Sequence, residues 1–163
     1  MSRIAVIGII GNSVFLPVEK FHVGGETVEA SSIHFEPGGK GFNQAVAAAR
    51  CGATVSFLAA VGREYGREFA EFLDGEGIRH TLVKKDDSTA FAAIVTDQAG
   101  SNHVTVYQGA QLSANDIRLF EDEIKNADIL LFPRWITDAV NSGTGVSVQS
   151  GEFQNCLQDT QYV

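Results

Sequence analysis

The sequence predicts an α/β fold with a mostly parallel sheet and a second, smaller sheet beside it. The first observation is the apolar run of residues 3–10, which is typical of a strand covered on both faces. The second is that apolar runs of strand length then alternate with stretches of helical period. The third is mixed polar and apolar sequence within about 12–37 and 88–108, which indicates half-exposed strands.

The larger sheet and its helices account for the first half of the chain. Residues 3–10 are the first central strand, and a glycine-rich segment then begins an alanine-rich helix that ends at Gly52. Residues 54–61 are a second buried strand. Residues 65–73 carry aromatic and leucine side chains at helical spacing, so we expect a second helix there.

The smaller sheet is predicted from three segments. Residues 26–35 mix polar and apolar side chains after a Gly-Gly turn. Residues 90–96 and 104–107 are strands joined by a polar turn that contains glycine. These segments have the pattern of a lid rather than of a core.

Three further elements complete the predicted order. A short strand covers residues 81–83, and Ser113 begins a helix whose apolar positions extend to Ile124. Residues 128–132 form another buried strand. In residues 133–163 the apolar residues recur with no sustained period, so we expect neither a helix nor a core strand there.

Composition excludes several classes of protein. The 163 residues are 44% hydrophobic and 20% charged, which is typical of one globular domain. The net charge of -8 disfavours nucleic acid as a partner. The apolar run at the start is too short to cross a bilayer, so we expect no membrane partner and a cytoplasmic protein. Two cysteines and four histidines show no metal-ligand spacing.

The most informative segment is Pro-Gly-Gly-Lys-Gly-Phe-Asn-Gln-Ala, residues 37–45, at the start of the alanine-rich helix. Its glycines let main-chain NH groups approach a ligand closely, and a helix N-terminus favours oxygen-rich or anionic groups. Lys40 and Asn43 add directional donors. The spacing differs from the P-loop and from G-x-G-x-x-G. A dinucleotide-binding domain, suggested by residues 7–11, is disfavoured because the third glycine and an acid at the expected distance are both missing.

This segment resembles the G-G-K-G-x-N-Q-A signature of the ribokinase-like (PfkB) family of carbohydrate kinases, and the similarity continues through residues 47–53, 55–57 and 61–62. The resemblance implies a three-layer α/β sandwich with a small β-sheet lid. It also implies ATP-dependent phosphoryl transfer to a sugar hydroxyl, with ATP and Mg as cofactors of the full-length enzymes.

The resemblance also assigns a sugar-binding role to residues of the glycine-rich segment and of the loop after the first strand. Members of the family usually carry an aspartate in that loop, where this chain has Ser13, so ribose as the substrate is in doubt. The family's G-D-D-x-x-G segment is shortened here and has Arg63 for an acid. The predicted substrate-binding residues are Gly11, Ser13, Gly38, Gly39, Lys40, Gly41 and Asn43.

The family motifs for the catalytic base and for magnesium have no counterpart in the sequence. The family's catalytic base lies in a G-A-G-D motif, and an N-x-x-E motif helps to organise magnesium; neither string occurs here. We therefore predict no catalytic residue, no metal site and no good binding of ATP by this chain alone. Residues 1–132 correspond to the N-terminal part of a ribokinase-like domain, and residues 133–163 are an anomalous tail. A frameshift or deletion is the simplest account, and a divergent genuine C-terminus is the alternative.

Two functions remain after this reasoning. The chain is either the sugar-binding half of a sugar kinase, inactive alone, or a non-catalytic sugar-binding module. In both cases a homo-oligomer is possible, through the lid strands or through the exposed edge of the sheet at residues 128–132.

Overall fold

The computed structural model describes residues 1–133, which form two four-stranded sheets and four helices. No helix in this part of the chain is long and apolar enough to cross a membrane. The elements in chain order are β1 (Arg3–Ile7), β2 (Gly11–Pro17), β3 (His34–Gly38), α1 (Lys40–Arg50), β4 (Thr54–Val61), α2 (Gly66–Gly75), β5 (Arg79–Lys84), β6 (Ala90–Thr96), β7 (Asn102–Tyr107), α3 (Ala114–Arg118), α4 (Glu121–Asn126) and β8 (Ile129–Leu131).

The larger sheet has the strand order β5-β4-β1-β8 and is parallel throughout. Side chains alternate between its faces along each strand. On one face Val6 and Phe57 pack with α1 and α2, and on the other Leu58 packs with Ile117 of α3 and Ile124 of α4. The predicted α/β class and the three layers are therefore confirmed for the described residues.

The smaller sheet has the order β3-β2-β6-β7 and is mixed. Strands β2 and β6 run parallel, whereas β3 and β7 are antiparallel to their neighbours. All six residues of β7 are exposed. We call this sheet the lid, since it lies within the two ranges in which the sequence predicted half-exposed strands.

The first strand is shorter than predicted. It ends at Ile7 rather than at residue 10, and the chain then leaves the larger sheet to begin β2 at Gly11. Gly8 is in backbone contact with Gly41, because a Cβ on Gly8 would lie 2.7 Å from the Gly41 Cα. This crossing redirects the chain from one sheet to the other. Gly11–Ser13, predicted to be a loop, is consequently strand.

The predicted strand at residues 26–35 is largely wrong. Only His34 and Phe35 of it lie in β3, and before them Ala30 forms a single isolated bridge with Val18. The Glu26 carboxylate instead accepts hydrogen bonds from two nearby groups, the backbone NH of Val23 and the side-chain ammonium of Lys20. A local turn therefore replaces the ladder expected there.

The predicted helix that begins at Ser113 is broken into α3 and α4. The capping box at Ser113 is confirmed, with Asp116 at its third position. Leu119 N and Phe120 N bond to carbonyls three residues earlier, at 3.1 and 3.0 Å. This tighter pattern ends the α-helical ladder of α3, and Phe120 becomes the N-cap of α4.

Candidate functional site

The candidate site lies where β1 ends and the chain crosses into the lid. Phe42 N, in the first turn of α1, donates a hydrogen bond to Ile9 O at 3.2 Å. A Cβ on Gly41 would lie 2.6 Å from the Gly8 Cα, so the two backbones meet without room for a side chain. In α/β sheets, ligands bind outside the carboxyl ends of the strands, which is where this crossing lies.

Gly39 connects the lid to α1 in a conformation that favours glycine. Its φ is 106°, and a Cβ there would lie 2.5 Å from Ile9 O. Asn43 N donates to Gly39 O at 2.9 Å, which continues the first helical turn. Lys40 and Asn43 are both exposed, so their side chains are accessible to a ligand at this helix end.

Gly11, Ser13 and Gly38 lie together on one face of the lid. Gly11 is paired with Gly38 across β2 and β3, and Ser13 follows on the same face. Ser13 is 9% exposed. A Cβ on Gly38 would lie 2.7 Å from Ser13 Oγ, so glycine leaves room for that hydroxyl. The predicted residues are thus neighbours in the structure, and their role in binding sugar stays a prediction.

An open cleft of about 570 Å3 lies along α1. Of the predicted residues, Asn43 lines it, and Glu36 of β3, which the sequence reasoning missed, lines it as well. Its volume is within the range of about 300–1,000 Å3 typical of small-molecule sites. A smaller cavity of about 150 Å3 lies at the amino ends of β1 and β4, among Arg3, Thr54 and Asn126.

A buried hydrogen-bond cluster joins the base of the lid to the end of β4. Thr89 Oγ1 accepts from Gly62 N at 2.9 Å and donates to Glu64 O at 2.8 Å. The Glu64 carboxylate accepts from Thr89 N at 3.2 Å. A Cβ on Gly62 would lie 2.3 Å from Thr89 N, so these segments touch through their backbones. The sequence singled out the Gly62 segment, but no local pattern identified Thr89 as its partner.

Two carboxylates next to this cluster are held ionised. The Tyr107 hydroxyl donates to Asp87 Oδ1 at 2.8 Å, and this bond, with a second from Ser88 N, lowers the pKa of Asp87. The same contact raises the pKa of Tyr107. Burial raises the pKa of Asp116, but hydrogen bonds from Lys85, at 2.5 Å, and from Ser113 outweigh it and hold that pKa below its usual value.

We expect Thr89→Val to lower the free energy of unfolding by about 1–3 kcal/mol, because the Gly62 N–H would stay buried without an acceptor. Thr89 is 5% exposed, and valine keeps its shape. Urea unfolding of the two chains measures the difference. The control is Thr105→Val on the exposed strand β7, for which we expect a change within about 0.5 kcal/mol. Equal losses in both variants would contradict the role of the cluster.

No group of three His, Cys, Asp or Glu side chains that could hold a metal ion lies within residues 1–133. In a magnesium–nucleotide complex the metal is usually held by one or two carboxylates together with the phosphates and water. We derive no step of a reaction through such a complex.

Comparison with known proteins identifies carbohydrate kinases as the relatives of this chain. Residues 1–147 match the family described as pfkB family carbohydrate kinase. The chain is 37% identical over 112 residues to the ribokinase of Bacillus subtilis, covering 68% of this chain and 38% of that protein. It is 34% identical over 137 residues to the bifunctional ribokinase/ribose-5-phosphate isomerase A of Fructilactobacillus sanfranciscensis, covering 78% and 25%.

The fold agrees with these similarities. The structure of Arabidopsis thaliana ribokinase complexed with ribose and ATP superimposes with a TM-score of 0.67 at 25% identity, covering 89% of this chain and 51% of that one. This chain thus spans about half of that structure and less than half of either curated relative. The family match extends past Phe132, and the division of the chain at that residue stays a prediction. Because the match covers most of the sequence, this chain belongs to the pfkB family of carbohydrate kinases.

Proposed function

We propose that the described residues bind the sugar substrate of an ATP-dependent sugar kinase. One observation carries the proposal: the crossing at Gly39 and Gly41 leaves no room for side chains, Lys40 and Asn43 of the adjoining helical turn are exposed, and the Ser13 hydroxyl lies against Gly38. A site of this kind offers main-chain NH groups, an ammonium, an amide and a hydroxyl within one small region. Sugar hydroxyls, which both donate and accept, are suited to such a mixture.

Each residue has a distinct task in this proposal. Lys40 and Asn43 donate hydrogen bonds to sugar oxygens and fix the orientation of the ring. Gly39 and Gly41 let the start of α1 lie against the backbone that follows β1, which fixes the helix N-terminus at the site. Ser13, on the lid, contacts the sugar from the other side, so binding would also hold the lid in one position. Positioning of this kind accounts for much of the catalysis of phosphoryl transfer.

We further propose that this chain alone does not catalyse phosphoryl transfer to a sugar. Phosphoryl transfer needs a base for the sugar hydroxyl and groups that hold the nucleotide. The G-A-G-D string that the resemblance associates with that base is absent from the sequence. MgATP would supply the phosphoryl group in a complete enzyme.

Asn43→Ala tests the sugar site. We expect about a tenfold weaker affinity for ribose or a related sugar, because a donor to a bound hydroxyl is removed. Isothermal titration of the full chain measures it. The matched control is Gln44→Ala, since Gln44 carries the same amide on the next residue and does not line the cleft. Equal effects of the two substitutions would count against the assignment of Asn43.

A second candidate is a non-catalytic sugar-binding module that associates through the lid. The observation that favours it is the exposed apolar surface on β7, where Val104, Val106 and Tyr107 are 43%, 54% and 51% exposed. Apolar strands at a sheet edge pair readily with other strands. Titration with ATP separates the candidates. Binding of ATP by the full chain would favour the kinase, whereas sugar binding without it would favour the module.

A further inference from the structure

We propose that the carboxylate of Glu36 accepts hydrogen bonds from two neighbouring hydroxyls of the bound sugar. The inference rests on the proposed function, because it assigns a residue and a ligand feature to the same site. The feature is a vicinal diol, in which two adjacent hydroxyls donate to the two oxygens of one carboxylate.

The first support is the strand register. Glu36 is paired directly with Ser13 across β3 and β2, so both side chains lie on one face of the lid. Residues that face each other in this way have Cβ atoms about 4.5–5.5 Å apart. Gly38, next on that face, has no side chain between Ser13 and the start of α1. Glu36 and Ser13 thus share the face of the lid that ends at Gly38, two residues before Lys40 begins α1.

The second support is the cleft along α1. Glu36 and Asn43 both line it, and Glu36 is the acidic residue of that lining. The basic residue of the lining, Arg50, is already paired with Glu76. Asn43 and Lys40 supply donors to sugar oxygens. Sugar hydroxyls also need a protein acceptor for their own hydrogens, and the Glu36 carboxylate in this lining is one.

The third support is the chemistry of the neighbouring groups. The Ser13 hydroxyl is neutral and nearly buried against Gly38, so it cannot accept from two hydroxyls as strongly as a carboxylate does. Glu36 is half exposed, and its contact within the described residues is an exposed one with His34 Nε2 at 3.5 Å. Such a contact contributes little, which leaves the carboxylate oxygens accessible to a ligand.

The test compares Glu36→Gln with the parent chain by isothermal titration with ribose and with 2-deoxyribose, which lacks one of the adjacent hydroxyls. We expect Glu36→Gln to bind ribose about 10- to 100-fold more weakly, with an unchanged midpoint of thermal unfolding. We also expect the parent to prefer ribose over 2-deoxyribose and the variant to lose that preference. An unchanged affinity for ribose in Glu36→Gln would overturn the inference.

Three further variants distinguish ligand contact from a general effect of charge. Glu19→Gln removes the same charge from an exposed position near the end of β2, and we expect it to bind like the parent. His34→Ala should also bind like the parent. If His34→Ala lost as much sugar affinity as Glu36→Gln, the contact between His34 and Glu36 would have only a structural role. Ser13→Asp in the Glu36→Gln background restores a carboxylate on the same face, and we expect affinity to recover.

Failure of the proposed function gives a different result. If the parent chain binds no sugar in a panel of pentoses and hexoses that includes these two, the proposed sugar site is wrong and the role of Glu36 fails with it. If the parent binds both sugars and Glu36→Gln matches it, only the role of Glu36 is wrong.

Discussion

Gly39→Ala is expected to lower the free energy of unfolding by about 4 kcal/mol, from two costs that act at one residue. A φ of 106° is a conformation that an L side chain rarely adopts, which costs about 1–3 kcal/mol. The new Cβ would also lie 2.5 Å from Ile9 O and 3.2 Å from the Ile10 Cα, and relieving this overpacking costs about 1–3 kcal/mol more. Chemical unfolding of the full chain measures the sum.

Gly52→Ala is the matched control. Gly52 also has a positive φ, of 88°, but a Cβ there would meet nothing within 4 Å. We therefore expect it to lose only the conformational part, about 1 kcal/mol. The difference between the two variants isolates the close approach of α1 to the end of β1. Equal losses would show that the two backbones do not meet as closely as the structure has them.

The elements that the sequence predicted well are those with local causes. Helix α1 lies between a glycine-rich start and Gly52, and α2 carries Phe69 and Leu73 on its buried face. Residues 57–61 of β4 are a continuous apolar run because helices cover both faces of the larger sheet. Capping, helical period and apolar run length are properties of neighbouring residues, so one sequence shows them.

The elements that were missed depend on contacts between distant residues. The start of β2 was predicted to be a loop and β1 to extend to residue 10, because the crossing of Gly8 and Gly41 ends β1 at a place that hydrophobicity alone does not mark. The sequence identified the glycine-rich part of the candidate site through its motif. It did not identify Glu36 or Thr89, because their importance follows from strand register and from a backbone contact 27 residues away.

We expect Phe120→Ala to lower the free energy of unfolding by about 3–5 kcal/mol, which is the usual cost of removing a buried phenyl ring. Phe120 is 1% exposed and packs with Ala5, Ile7 and Leu58 on the face of the larger sheet opposite α1. The ring lies between α3 and α4, so its removal leaves a cavity beneath both helices. Urea unfolding measures the loss, and the slope of the transition reports whether the layer still unfolds with the rest.

Leu119→Ala is the control at the adjacent residue. Leu119 is 65% exposed in the same break between the helices, so we expect a change within about 0.5 kcal/mol. A large loss in Phe120→Ala with the parent's slope would mean that α3 and α4 are part of one cooperative unit with the larger sheet. A small loss would contradict the packing of this layer. The larger sheet would then be covered mainly by α1 and α2. The position of the proposed sugar site, at the carboxyl end of β1, would then depend on the packing of α1 alone.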